Sequence, residues 1–203
     1  MSLLSKKTFI SMMAVFLGFL LFSNAKLLCA EELKLTAVIK KVSRGRIKNP
    51  LPLAKVIVEE CKKYDLDPLL IIALIYQESS FWSHVSSHKS AIGLMQLKHS
   101  TAQEVAKKLK WPSLSQRDLL DPVKNVKLGI HYLGKLKKQF LNNRRLFLTA
   151  YNNGPARLKY LYKTLPLSQF KFSYANKILA LYGSLKKDAQ SSHFPIALTV
   201  ALR

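Results

Sequence analysis

The run Pro68–Gln96 constrains this chain more than any other part, because it opens with a helix that has no polar face and closes that helix on a carboxylate. Leu69 to Ile75 is apolar on every side of a 3.6-residue period, the pattern of a central helix buried all round. A helix of roughly a dozen residues is too short to cross a bilayer, which takes about 20. Asp67-Pro68 supplies its start, with a side-chain acceptor at the N-cap and proline at the first helical position. Glu78 falls on the last turn. Burial and the negative end of the helix dipole both disfavour its charged form. The spacing therefore predicts a raised pKa and a group suited to general acid work near neutral pH. The plainer alternative is a surface glutamate at the end of a core helix.

The chain has 203 residues, enough for one domain with appendages. Its start reads as an export signal: Lys6-Lys7, the apolar run Phe9–Phe22, then Ser23-Asn24-Ala25 as a cleavage site, with Leu28-Cys29-Ala30 as a second option. Residues 1–25 are thus expected to be a signal peptide, and the protein to be exported to the periplasm or envelope of a bacterium. An uncleaved anchor and a lipidated Cys29 are weaker alternatives, since Lys26-Leu27-Leu28 lacks the small residues expected before a lipidated cysteine. Lys and Arg number 33 against 11 Asp and Glu, a formal net charge of +22. Such an excess favours polyanions, and export sets nucleic acid aside in favour of an anionic membrane surface or an acidic wall polymer. Two cysteines make no disulfide framework, and Cys61, among apolar neighbours, is expected in the core. The histidines show no paired ligand spacing, so no metal site is expected. No phosphate-binding glycine loop or serine elbow occurs, and no cofactor is implied.

Residues 26–50 are mixed and basic, with Arg44-Gly45-Arg46 as exposed linker and a short strand around Leu35–Val42 as an option. The folded domain is expected over 51–188, leaving 189–203 as a C-terminal tail. Leu53, Val56, Ile57, Glu60, Cys61 and Tyr64 follow helical spacing. Ser100-Thr101 with Gln103-Glu104 resembles a capping box opening a helix to about Lys110. Asp121-Pro122 opens another helix, running to about Phe140, with Lys124, Lys127, His131, Lys135 and Lys138 as a solvated face. Asn142-Asn143 marks a turn before Leu146–Tyr151, Pro155 starts a further helix, and Tyr174, Ile178, Leu181, Tyr182 and Leu185 mark the last. Persistent strand alternation is missing, so the fold class expected is all-α.

The acids can be taken one by one. Glu31 and Glu32 lie beside the cleavage region, and Glu59 and Glu60 on an amphipathic helix. Asp65, Asp67 and Asp121 sit at turns, Glu104 in the capping box and Asp188 near the tail. Glu78 and, as a second candidate, Asp118 remain. An enzyme built on this chain works with one dominant carboxylate.

Three further motifs agree. Glu78-Ser79-Ser80-Phe81, Gly93-Leu94-Met95-Gln96-Leu97 and Ala150-Tyr151-Asn152-Asn153-Gly154-Pro155 resemble, in order and spacing, the three successive motifs of the SLT-type lytic transglycosylases of the goose-type lysozyme-like superfamily. The stretch from Asp121-Pro122 to Leu133 is similar to the helix that family carries between its second and third motifs, and Tyr174 with Lys177-Ile178-Leu179 to its tyrosine-bearing last helix. The resemblance runs from about Leu53 to Leu185. Departures are local: the family often has Gly at Ser90 and Met-Pro at Lys98-His99, and its acidic stretch before the last-helix tyrosine appears as Gln169-Phe170-Lys171.

The resemblance implies a lysozyme-like domain that cleaves peptidoglycan without water, leaving 1,6-anhydro-muramic ends, with Glu78 as the single acid and base. Glycan strands would be the partner and a monomer would suffice, with peripheral association at the envelope. By the match, Ser79 and Asn152 meet the acetamido group or orient Glu78. Gln96 and the Gly93–Met95 backbone hold sugar hydroxyls and amides, Met95 forms cleft wall, and Tyr151 and Tyr174 stack on sugars or donate to Glu78. Two alternatives stand beside it: a hydrolase of the same fold using Asp118 as second carboxylate, and a non-catalytic wall-binding or secretion-apparatus component.

Overall fold

Helix signals legible in the chain reappear as bonds in the computed structural model, which describes residues 26–86, 90–164, 166 and 169–191. Asp67 caps the helix α3 (Pro68–Ser79) by accepting from Leu69 N at 2.9 Å, with proline at its first turn. Asp121 does the same for α5 (Pro122–Gln139), accepting from Lys124 N at 2.7 Å, and Asn143 for α6 (Arg144–Asn153), accepting from Leu146 N at 3.2 Å. Pro155 opens α7 (Pro155–Thr164). The remaining helices are α1 (26–42), α2 (Leu51–Tyr64), α4 (His99–Lys108) and α8 (Ser173–Gln190). The fold is all-α, apart from a hairpin in which β1 (Ala91–Ile92) pairs antiparallel with β2 (Leu97–Lys98).

Helix α3 is the axis of the core. Leu70 through Ile75 are each at most 1% exposed, and burying each of the large ones contributes about 1.5–3 kcal/mol. Helix α8 packs along α3, α6 along α8 and α5, and α2 along α5. Cys61 is buried as expected.

Three sequence expectations need correcting. Residues 26–42 are a helix, and Leu35, Val38, Ile39 and Val42 are buried in the common core. Their i, i+3, i+4, i+7 spacing is that of one helical face; the β-branched content invited the strand reading, and the surrounding lysines the linker reading. The folded unit therefore includes this segment, and it extends to Gln190 at its other end. Second, α4 has no capping box: Lys98 occupies its N-cap without a side-chain bond, and the helix ends at Lys108. Third, the solvated basic stripe of α5 is largely paired, Lys124 with Asp118 at 2.5 Å, Lys127 with the buried Glu60 at 3.4 Å and Lys135 with Glu104 at 2.6 Å.

Helix α1 lies beside α3 in a fixed sense. Its middle, Glu31, Lys34, Leu35 and Val38, lines a groove with Asp67, Pro68 and Leu69 at the start of α3, whereas Arg46, just past its end, donates to Ser80 O at 3.1 Å. The expected signal peptide (1–25) and most of the expected tail lie outside the described residues. No helix among those residues is long and apolar enough to cross a membrane.

Candidate active site

Why α3 stops at Ser79 explains why Glu78 faces a cleft. Ser80 (φ 49°) and Phe81 (φ 64°) both take left-handed backbone conformations, which cannot continue a right-handed helix and are uncommon for a bulky residue. The Phe81 side chain is fully buried and holds the turn down. Arg46 fastens it from outside, with its guanidinium 4.8 Å over the Trp82 ring. Strain of this kind persists where surrounding packing over-determines it.

The cleft encloses about 580 Å³. Glu78 enters from the end of α3; Ala91, Gln96 and Lys98 come from the hairpin, Thr101 and Glu104 from α4, Tyr132 and Lys135 from α5, and Tyr151 to Pro155 from the α6–α7 junction. Burial pushes the Glu78 carboxyl up to about 7, against an opposing hydrogen bond from the Tyr174 hydroxyl to its Oε1. Desolvation wins, as the sequence leads one to expect, so near neutral pH the group is divided between acid and carboxylate. The Tyr174 phenol is held far above its usual range by its own burial and by the Glu78 charge, so it stays a donor. Tyr151 is held up in the same way; it donates to Met95 O at 2.7 Å and its ring lies 5.5 Å from that of Tyr132.

A buried amide fixes the hairpin from below. Asn125, fully buried on α5, accepts from Met95 N at 2.8 Å and donates to Ile92 O at 2.9 Å and Leu119 O at 3.0 Å. Gly93 (φ 78°) must be glycine here, since a Cβ would stand 2.3 Å from Leu119 O and 2.4 Å from Asn125 Nδ2. Gln96 closes the loop, its Nε2 donating to Val85 O at 3.1 Å and Gly93 O at 3.0 Å. Its side-chain oxygen has no partner among the described residues and remains available to the cleft.

The expected site residues fall into two groups. Glu78, Gln96, Tyr151 and Asn152 line the cleft, and Tyr174 reaches it through Glu78. Ser79, Gly93 and Met95 lie behind it. Ser79 is 7% exposed and its hydroxyl donates to Leu94 O at 2.8 Å, tying α3 to the hairpin. Met95 is fully buried, its sulfur packed where a Cβ on Gly129 would fall. Asp118 lines none of this cleft: Lys124 and Ser115 bind its two oxygens and hold it well below the usual carboxylate range.

Sequence reasoning missed Lys98, Glu104, Tyr132 and Lys135 as cleft residues and Asn125 as the brace. Glu104 was hidden by the apparent capping box. For Asn125 the signal was a polar residue on the apolar face of α5, next to Val126.

Comparison with known proteins agrees with this geometry. The family described as Transglycosylase SLT domain matches residues 55–164. The membrane-bound lytic murein transglycosylase C of Sodalis glossinidius is 38% identical over 102 residues, covering 46% of this chain and 29% of that protein. The protein of the same name from Haemophilus influenzae is 35% identical over 118 residues, covering 54% and 32%. The chain thus spans under a third of the length of these relatives. Among solved structures, the lytic transglycosylase Slt of Pseudomonas aeruginosa, an inactive Glu-to-Gln mutant, superposes with a TM-score of 0.58 at 33% identity, over 66% of this chain and 24% of that one. The 70 kDa soluble lytic transglycosylase of Escherichia coli gives 0.58 at 24% identity, over 74% and 30%, and speaks for the fold alone. With more than half of its length matched and the motif residues gathered around one cleft, this chain belongs to the transglycosylase SLT domain family.

Proposed function

We propose that this protein is a peptidoglycan lytic transglycosylase, cleaving the β-1,4 bond between N-acetylmuramic acid and N-acetylglucosamine with formation of a 1,6-anhydro ring. The observation that carries the reading is the state of the cleft's two carboxylates. Glu78 is poised to give and take a proton near pH 7, whereas Glu104 is tied to Lys135 at 2.6 Å and its pKa is lowered. A base held below its usual range takes up protons poorly.

With one active group, the substrate supplies the rest. Glu78 gives its proton to the oxygen leaving C1 of the muramic acid, and the C1–O bond breaks. The sugar's acetamido oxygen closes on C1, as in substrate-assisted glycosidases. Glu78, now ionised and hydrogen-bonded by Tyr174, removes the proton of the C6 hydroxyl. That oxygen then attacks C1 and displaces the acetamido oxygen. Both reacting oxygens belong to the substrate, and no water enters. Tyr151, Asn152 and the Gln96 carbonyl position the sugars, while Ser79, Gly93 and Met95 support the frame.

The expected surroundings follow: export to the bacterial envelope, glycan strands as partner, a monomer, and no cofactor. The similar proteins cited carry the words membrane-bound in their names, which supports an envelope setting.

A second reading, hydrolysis, draws on the presence of Glu104 in the same cleft. Digestion of purified sacculi followed by mass spectrometry separates them. Soluble fragments with anhydro ends are expected; reducing ends carrying the mass of an added water would overturn the reading in favour of hydrolysis. Binding without any released fragment would leave a wall-binding protein.

A further inference from the structure

We propose that Lys98 binds a carboxylate of the peptide that hangs from the muramic acid, giving the cleft a preference for peptide-bearing over peptide-free glycan. The inference rests on the reading of this cleft as a peptidoglycan site.

Strand geometry puts Lys98 there. Side chains alternate along a strand, so in β2 Lys98 faces the cleft while Leu97 before it is buried at 2% exposure, and Gln96, at the left-handed position (φ 46°) just ahead of the strand, lines the same cleft. The residue paired with Lys98 across the hairpin is Ala91, which also lines the cleft and is too small to cover the lysine stem. At the far side of Lys98, the His99 ring lies 2.9 Å from Leu114 O, pinning the strand end to the loop before α5. The lysine is exposed, but its root is fixed.

The charges of the cleft single it out. Lys135 and Glu104 are bonded at 2.6 Å and offset one another, with Lys108 at 3.8 Å as a weaker third member. Glu78 is uncharged in the state that begins the reaction. Lys98 has no acidic partner among the described residues, so it is the one uncompensated charge among those lining the cleft. An ammonium so placed attracts an anion. The sugar whose C1 sits at Glu78 carries the peptide on its lactyl group, and the nearest anions of an otherwise uncharged backbone are the carboxylates of that peptide. The SLT pattern often has methionine at this position, so the charge distinguishes this chain within the resemblance.

The test compares glycan strands carrying peptide with strands stripped by amidase digestion, whose lactyl carboxylates, uncovered when the amide bond is hydrolysed, are then capped as neutral methylamides. Binding is measured on Glu78→Gln protein, which cannot turn the strands over, with and without a second change, Lys98→Met. Peptide-bearing strands are expected to bind more tightly, and Lys98→Met to weaken them about fivefold, the upper end for an exposed ion pair. The ratio between the two strands should then fall towards one, Lys98→Arg should restore it, and high salt should erase it in the parent. An equal loss on both strands, or no preference in the parent, overturns the inference. Fragment release by the unmutated protein is followed in parallel. If no fragment appears from either strand, the enzymatic reading fails, and the binding ratio still decides the role of Lys98.

Discussion

The Tyr174 hydroxyl donates its hydrogen bond to Glu78 Oε1 across 96 positions of sequence. It binds α8 to the end of α3 at the carboxylate that the proposed reaction would have to charge and discharge. A donor at this oxygen stabilises the ionised form, while burial stabilises the neutral one, and burial is the larger effect. The pair thus holds Glu78 near the middle of its titration, where a group that first gives and then takes a proton works best.

Replacing Tyr174 by Phe removes the opposing effect, so the Glu78 pKa should rise further above about 7. The alkaline limb of the activity profile should move to higher pH. Turnover at pH 6 should fall about ten- to a hundredfold, the range for a lost bond to a charged group. A profile whose limb moves to lower pH would show that Tyr174 does not act on the carboxylate.

Glu78→Gln keeps the shape of the side chain and removes its proton chemistry. Activity should drop by about 10²–10⁴ or more. Stability should respond in the opposite direction. The folded state holds the Glu78 proton up to about 7, against an ordinary value of 4.5. Its stabilising contribution is therefore fully present below pH 4.5 and lost as pH rises through 7. By pH 8 the buried carboxylate costs on the order of 3 kcal/mol, which the amide avoids. Thermal melts should place Glu78→Gln above the parent at pH 8, with the gap closing towards pH 4.

Much of this site is legible in the order of residues alone. A helix of 12 residues that is apolar all round from Leu69 to Ile75 and carries Glu78 on its last turn announces its own burial, because no other environment accepts such a face. Tyr151, Asn152 and Gln96 follow from their motifs. What the chain conceals is direction. Ser79 and Met95 lie next to site residues in sequence, yet they turn inwards, Ser79 to Leu94 O and Met95 against Gly129. Glu104 imitates a cap, and Lys135 belongs to a stripe that looks solvated until α4 supplies its partner. Such pairings join distant elements, so spacing along one helix cannot reveal them.

Asn125→Ala should strip the hairpin of its support, leaving Met95 N, Ile92 O and Leu119 O without partners. Unsatisfied buried groups cost about 1–3 kcal/mol each before relaxation. A loss of about 2–4 kcal/mol in urea unfolding is expected, with faster hydrogen exchange at the Met95 amide and collapse of activity. Unchanged exchange at Met95 would show that the loop holds itself.

Ile39, fully buried on α1, tests whether residues 26–42 belong to the folded unit. Ile39→Ala should cost about 2–4 kcal/mol, and a chain starting at residue 51 should unfold at much lower temperature than one starting at 26. Equal melting of the two would restore the linker reading.

The course of α1 also governs how the protein can be held. Its middle turns, Glu31 to Val38, lie by the start of α3, and Arg46, just past its last residue, by the end of α3 that carries Glu78. A tether pulling on residue 26 therefore pulls at the pole opposite the acid. Along 17 residues of helix at 1.5 Å each, the rigid arm is about 25 Å long. A protein leashed to a membrane at that point would carry its cutting edge outwards, like a blade set at the free end of its handle.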